Sequence, residues 1–65
     1  MNNYNKYYKF INSETDNVIF FLSLPETEPD PKTLLENIRH KLAYEKATYI
    51  GNIYYTLSQE SDFNE

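Results

Sequence analysis

The chain has 65 residues, no cysteine, one histidine and a formal net charge of −4. This composition excludes disulfides and thiolate zinc sites, and it argues against a general nucleic-acid binder, for which a basic surface is expected. A chain of this length forms one marginally stable domain, so association with another chain is the stabilising device left to it.

Residues 4–11 are the first predicted strand, because Tyr, Phe and Ile favour a pleated surface. Its alternation is imperfect, since a lysine lies among tyrosines on each of its two sides. Residues 12–17 are rich in Asn, Ser, Thr and Asp, which is typical of a turn. We therefore predict a hairpin with a loop of about 4–5 residues.

The second predicted strand is the run from Val18 to Leu24, in which apolar residues occupy both faces. Successive side chains of a strand point to opposite faces. This alternation assigns the apolar side chains as follows: Val18, Phe20, Leu22 and Leu24 on one face, Ile19 and Phe21 on the other. A strand that is apolar on both faces requires a covering layer on each of them.

A helix is predicted after Pro25, which ends the second strand because proline cannot donate to a ladder. Asp30 followed by Pro31 is typical of a helix start, with Asp as the N-cap and Pro at the first helical position. The apolar residues that follow recur at helical spacing within an arc of roughly 100°: Leu34, Leu35, Ile38 and Leu42. We place the helix end near residues 44–46, where no glycine marks a C-cap.

Residues 48–57 allow two interpretations. A single strand running to about Ser58 would use Gly51 as a bulge, whereas a hairpin would turn at Gly51 and Asn52. We favour the single strand, because few residues remain for a first hairpin strand after the helix. The ends of the chain, residues 1–3 and 59–65, are predicted to be frayed, with Phe63 as the one candidate anchor in the second of them.

The predicted fold is a small α+β domain that spans residues 1–65. Its elements follow the order β-β-α-β, with a three-stranded, mainly antiparallel sheet and one helix on one face. The helix supplies one covering layer, so the second face of the sheet is predicted to need a cover from outside the chain.

Catalytic and cofactor signatures are weak. His40 and Glu36 form an i, i+4 pair on the helix face opposite the apolar stripe, where acid–base chemistry is conceivable but a solvent-exposed pair is the ordinary outcome. A single glycine excludes the glycine-rich phosphate loops, and prolines interrupt the acidic positions that a calcium loop requires. We predict a protein that is not an enzyme and has no cofactor or metal.

The uncovered sheet face is predicted to bind a protein partner, most simply a second copy of the chain in a homodimer. Tyrosine is enriched in protein interfaces. We therefore add the strand tyrosines to the contact residues predicted on the second face of the apolar run. The predicted contact residues are Ile19, Phe21, Tyr7, Tyr8, Tyr54 and Tyr55. Size and acidity suit a small accessory or inhibitory protein of a phage or a mobile element.

An alternative hypothesis connects the chain with nucleic acids. The tyrosines would stack single-stranded bases, although that use normally requires a cationic groove, so direct nucleic-acid binding is the less favoured case. A second form is mimicry of DNA, in which acidic residues occupy the DNA site of another protein. The residues for this surface, with residues 58–65, are Glu14, Asp16, Glu26, Glu28 and Asp30.

The sequence predicts no targeting or membrane segment. The first residues lack the apolar stretch of a signal peptide, and the run from Val18 to Leu24 is far shorter than the ~20 residues that span a bilayer. We therefore predict a cytoplasmic protein that does not enter a membrane.

Overall fold

The computed structural model of the protein describes residues 5–58. The elements in chain order are β1 (Asn5–Asn12), β2 (Asn17–Pro25), α1 (Pro31–Glu45), a 3-10 turn (Ile50–Asn52) and β3 (Ile53–Ser58). The strands form one antiparallel sheet in the order β2-β1-β3. This confirms the predicted α+β fold. The predicted frayed ends at residues 1–3 and 59–65, including Phe63, lie outside the described residues.

The core lies between α1 and one face of the sheet, which we call the helix-facing side. Phe10, at the middle of the central strand, is fully buried, and Ile53 is 1% exposed. Leu24, Leu35 and Leu42 complete the buried cluster. Full burial of one such side chain contributes about 1.5–3 kcal/mol, so these five residues are the main source of stability.

The helix begins where the sequence predicts. The Asp30 carboxylate accepts hydrogen bonds from the Thr33 backbone N–H at 3.3 Å and from the Thr33 hydroxyl at 2.7 Å. Pro31 fills the first helical position, where a missing N–H costs nothing. The hydroxyl bond, and then the backbone bond, lower the pKa of Asp30 below its ordinary value.

The helix ends within the predicted interval, at Glu45, but by a device that the sequence does not reveal. Ala47 adopts a left-handed backbone conformation with φ 51°. The Ala47 N–H donates to the Tyr44 carbonyl at 3.3 Å, and the Thr48 N–H donates to the Ala43 carbonyl at 3.0 Å. This is a Schellman motif with alanine in the position that glycine normally occupies.

The last strand starts later than predicted. Ile50–Asn52 form the 3-10 turn, and β3 begins at Ile53 and pairs with β1 as far as Ser58. The favoured single strand is therefore correct over its second half, and the hairpin about Gly51 is wrong. Gly51 lies in the turn beneath the ring of Tyr49, where an added Cβ would lie 2.5 Å from Cε2 of that ring.

A shift of register between β1 and β2 decides which side chains share a face. Phe10 pairs with Phe20, but the next residue, Ile11, pairs with Val18. Ile19 is therefore the extra residue of a β-bulge. Because directly opposed residues of an antiparallel pair lie on the same face, Val18 shares the face of Ile11.

The bulge overturns part of the predicted alternation of the second strand. Phe20, Leu22 and Leu24 lie on the helix-facing side, as predicted. Val18 was predicted to join them but lies on the opposite face, and Ile19 was predicted opposite but packs against the core cluster. The physical reason is that an extra residue on one strand exchanges the two faces beyond it.

Candidate protein-binding surface

The sheet face opposite α1, which we call the open face, consists of residues that pair across all three strands. The register of β1 with its two neighbours arranges them in rows. The three complete rows are Val18, Ile11 and Tyr54; Phe21, Lys9 and Thr56; and Ser23, Tyr7 and Ser58. The α-helix of the described residues packs on the other side of the sheet.

Large apolar side chains on the open face are exposed. Val18 and Phe21 are each 40% exposed, and Tyr54 is 46% exposed. Ile11 is 9% exposed, because the side chains of both flanking strands shield the central strand. Partly exposed apolar side chains on the two outer strands, joined by Ile11 between them, are typical of an interaction surface.

Lys9 lies at the centre of the open face, between Phe21 and Thr56. Among residues 5–58 it is the one charged residue in the rows of this face. Its half-buried alkyl stem can lie along neighbouring rings while the ammonium group reaches water. A central charge of this kind keeps an apolar sheet face from stacking indiscriminately.

The predicted contact residues divide between the two faces of the sheet. Phe21, Tyr7 and Tyr54 lie on the open face. The other three were predicted there but contact the core on the helix-facing side: Ile19, Tyr8 and Tyr55. Strand alternation alone separates Tyr7 from Tyr8, since Tyr8 has the parity of the buried Phe10. The prediction missed Val18, whose face depends on the bulge, and Ile11, which shares the face of Tyr7 and Lys9 by alternation along β1.

Tyr55 has a structural role on the helix-facing side. Its ring packs against Phe10, with centroids 5.5 Å apart, and meets the Tyr8 ring edge-on at 6.5 Å. Its hydroxyl donates a hydrogen bond to Oε2 of Glu36 at 3.1 Å. The ring of Tyr55 therefore packs within the sheet, and its hydroxyl connects the sheet to the helix.

Arg39 continues this connection toward the start of β3. Its Nη1 donates to Oε1 of Glu36 at 3.0 Å, in an ion pair within the helix. Its Nε donates to the Ile53 carbonyl at 2.6 Å, and its Nη2 donates to the Ile50 carbonyl at 3.0 Å. The guanidinium thus holds the 3-10 turn and the first residue of β3 against α1.

The environment of Glu36 differs from the predicted one. Glu36 was predicted on the outer helix face beside His40, but its carboxylate bonds to Arg39 and Tyr55. Partial burial acts to raise its pKa, but the hydrogen bonds from Tyr55 and Arg39 and the Arg39 charge outweigh it, so the pKa lies below its ordinary value. Burial, followed by the bond to Glu36, raises the pKa of Tyr55. Glu36, Arg39 and Tyr55 thus connect α1 to the 3-10 turn and to β3.

The acidic residues of the described chain form two separate groups. One lies in the β1–β2 loop and the other in the connection from β2 to α1: Glu14 and Asp16, then Glu26, Glu28 and Asp30. The nine residues of β2 separate the groups by roughly 25–30 Å. Asp30 is committed to the helix cap, so this arrangement does not favour the continuous acidic surface that DNA mimicry requires.

No three His, Cys, Asp or Glu side chains within residues 5–58 are grouped so that they could hold a metal ion. In the same range, no helix combines the length and apolar character needed to cross a membrane. Comparisons with protein-family models, with curated proteins and with solved structures find no match to this chain.

Proposed function

We propose that the protein is a non-enzymatic protein-binding module of the cytoplasm that forms a homodimer through the open face and acts as an accessory or inhibitory subunit. The observation that carries this proposal is the exposure of apolar side chains on the two outer strands of one sheet face, on either side of Ile11. Val18, Phe21 and Tyr54 are each at least 40% exposed there, whereas on the other face α1 covers the central cluster and leaves Phe20 and Leu57 exposed on the outer strands.

The charge pattern supports a second copy as the occupant of this face. The chain is acidic, yet the rows of the open face contain no acidic residue among residues 5–58. Two open faces therefore approach each other without opposing carboxylates. Lys9 alone must direct its ammonium group out of the contact, which its flexible stem permits.

The size of the open face limits the strength of the dimer. Three strands about 4.8 Å apart, over about six residues each, give a face of roughly 14 by 20 Å. The area of this face is well below the ~800 Å² that each partner buries in an interface of standard size. We expect a weak dimer, with a dissociation constant in the micromolar range or above.

Measurement of the molecular mass over a concentration series tests the proposal. Sedimentation should show a monomer at low concentration and a dimer at high concentration. Tyr54→Asp places a charge on the open face and should abolish the dimer. Leu57 lies on the same strand but on the helix-facing side, and its side chain is 62% exposed. Leu57→Asp should therefore leave the dimer intact. A strict monomer, or equal effects of the two variants, overturns the proposal.

A further inference from the structure

One edge of the sheet is suited to accept another strand. β2 lies at the edge and pairs, within residues 5–58, with β1 alone. Beyond the bulge, Phe20 to Leu24 pair in regular register, so alternate backbone N–H and C=O groups of this segment point away from the sheet. An edge of this length with no charged side chain is a template for strand addition.

The opposite edge of the sheet is less suited to this role. Within residues 5–58, β3 has six residues where β2 has nine. The carbonyl of its first residue, Ile53, already accepts a hydrogen bond from Arg39. Strand addition is therefore expected at β2.

Acidic residues lie beyond both ends of the β2 edge. Asp16 precedes the strand and Glu26 follows it, and both are exposed. Within the described chain, the one salt bridge joins two helix residues and involves neither of these carboxylates. If two copies of β2 paired, in either direction, acidic ends would lie beside acidic ends, and like charges disfavour that pairing.

We propose that the β2 edge binds an extended segment of a different protein, with alternating apolar residues at its centre and Lys or Arg at both ends. Main-chain hydrogen bonds to β2 supply the affinity, and the basic ends meet Asp16 and Glu26. The inference rests on the proposed function as a protein-binding module and adds the chemistry of the target. The homodimer uses the open face, so the edge stays accessible in it.

Two synthetic peptides provide the probe, and the full-length protein is used throughout. Both contain nine residues of alternating Val and Thr, matched to the length of β2, with two Lys at each end of one and two Glu at each end of the other. In fluorescence anisotropy, the Lys-flanked peptide should bind at least about tenfold more tightly than the Glu-flanked peptide. Added salt should weaken the binding of the Lys-flanked peptide. Amide hydrogen exchange should slow at alternate residues of 20–24.

Charge variants at the ends of β2 test the recognition. Glu26→Gln should weaken the binding of the Lys-flanked peptide about two- to fivefold. Glu45 is an exposed acid at the end of α1, and Glu45→Gln should have no effect on this binding. Asp16→Asn, in which Asn tolerates the left-handed backbone at φ 61°, should act like Glu26→Gln, and the two effects should add.

Several results would overturn the inference. They are equal binding of both peptides, no binding of either, slowed exchange elsewhere than β2, and equal effects of Glu26→Gln and Glu45→Gln. Slowed exchange in β2 on concentration of the protein alone would instead assign the edge to a second copy. Tyr54→Asp separates the two proposals, because it should abolish the homodimer and leave peptide binding unchanged.

Discussion

The two faces of the sheet are built from adjacent residues of the same strands, yet they differ at their centres. Phe10 occupies the centre of the helix-facing side and is fully buried beneath α1. Lys9, one residue earlier, occupies the centre of the open face. The comparison shows how a small domain keeps one apolar face as a core and leaves the other available as a surface, because a central charge opposes complete burial.

The largest expected effect comes from truncation of the two aromatic residues that mark these faces. Phe10→Ala leaves a cavity in the core and should cost about 3–5 kcal/mol, which is comparable with the whole stability of a domain of this size. Phe21→Ala, on the open face at 40% exposure, should cost much less. Urea unfolding followed by circular dichroism measures both. Equal costs would mean that the open face is buried in the folded protein.

The polar connection on the covered side should give the next largest effect. Tyr55→Phe removes the hydroxyl that bonds to Glu36 and should cost about 0.5–1.5 kcal/mol at neutral pH, in the same unfolding experiment. Tyr54→Phe, its neighbour on the open face, is the matched control and should change stability little. An equal loss from both substitutions would contradict the assigned role of Tyr55.

The same connection predicts how stability depends on pH. The pKa of Glu36 is lowered from its ordinary value of 4.5, so its contribution is present above that value and is lost as the pH falls through the folded-state pKa. The pKa of Tyr55 is raised from 10.0, so its contribution is present below that value and is lost as the pH rises through the folded-state pKa. Glu36→Gln should flatten the acid limb of the stability curve, and His40→Gln, which removes only the last of the interactions that lower this pKa, should change that limb much less. An unchanged acid limb in Glu36→Gln would contradict this assignment.

A smaller and stabilising effect is expected at the end of the helix that covers the core. Ala47→Gly relieves the left-handed conformation at φ 51° and should raise the free energy of unfolding by about 0.5–1 kcal/mol. Ala43→Gly, inside the helix, should lower it by a similar or greater amount. Thermal unfolding distinguishes these signs, and a destabilising Ala47→Gly would contradict the Schellman geometry.

The covered side was largely predictable because its signals are local. Asp30 followed by Pro31 marks the start of the helix, and Leu35 and Leu42 recur at helical spacing on its buried stripe. The hairpin and the order of the elements follow from alternation and turn residues within short windows. Part of what escaped prediction on this side is non-local, since the bond from Tyr55 to Glu36 joins residues 19 positions apart.

The open face was harder to predict because one extra residue decides its membership. Nothing in the run of Val, Ile and Phe distinguishes a bulge at Ile19 from regular pairing, and the bulge exchanges the faces of Val18 and Ile19. The order of the strands matters as well. β2 lies at the edge of the sheet. Some of its apolar residues therefore mark a sheet edge, and only the others mark a face that another layer must cover.

The most selective change to the open face is at its central charge. Lys9→Met keeps an unbranched side chain of similar length but removes the ammonium group that the dimer must keep in water. The homodimer should tighten about fivefold, which corresponds to ~1 kcal/mol, while the stability of the monomer changes little. Lys6→Met, at the exposed end of the helix-facing side, changes the net charge equally and should not tighten the dimer. Sedimentation measures both, and a looser dimer in Lys9→Met would mean that the ammonium group of Lys9 makes a favourable contact in the dimer, which contradicts this assignment.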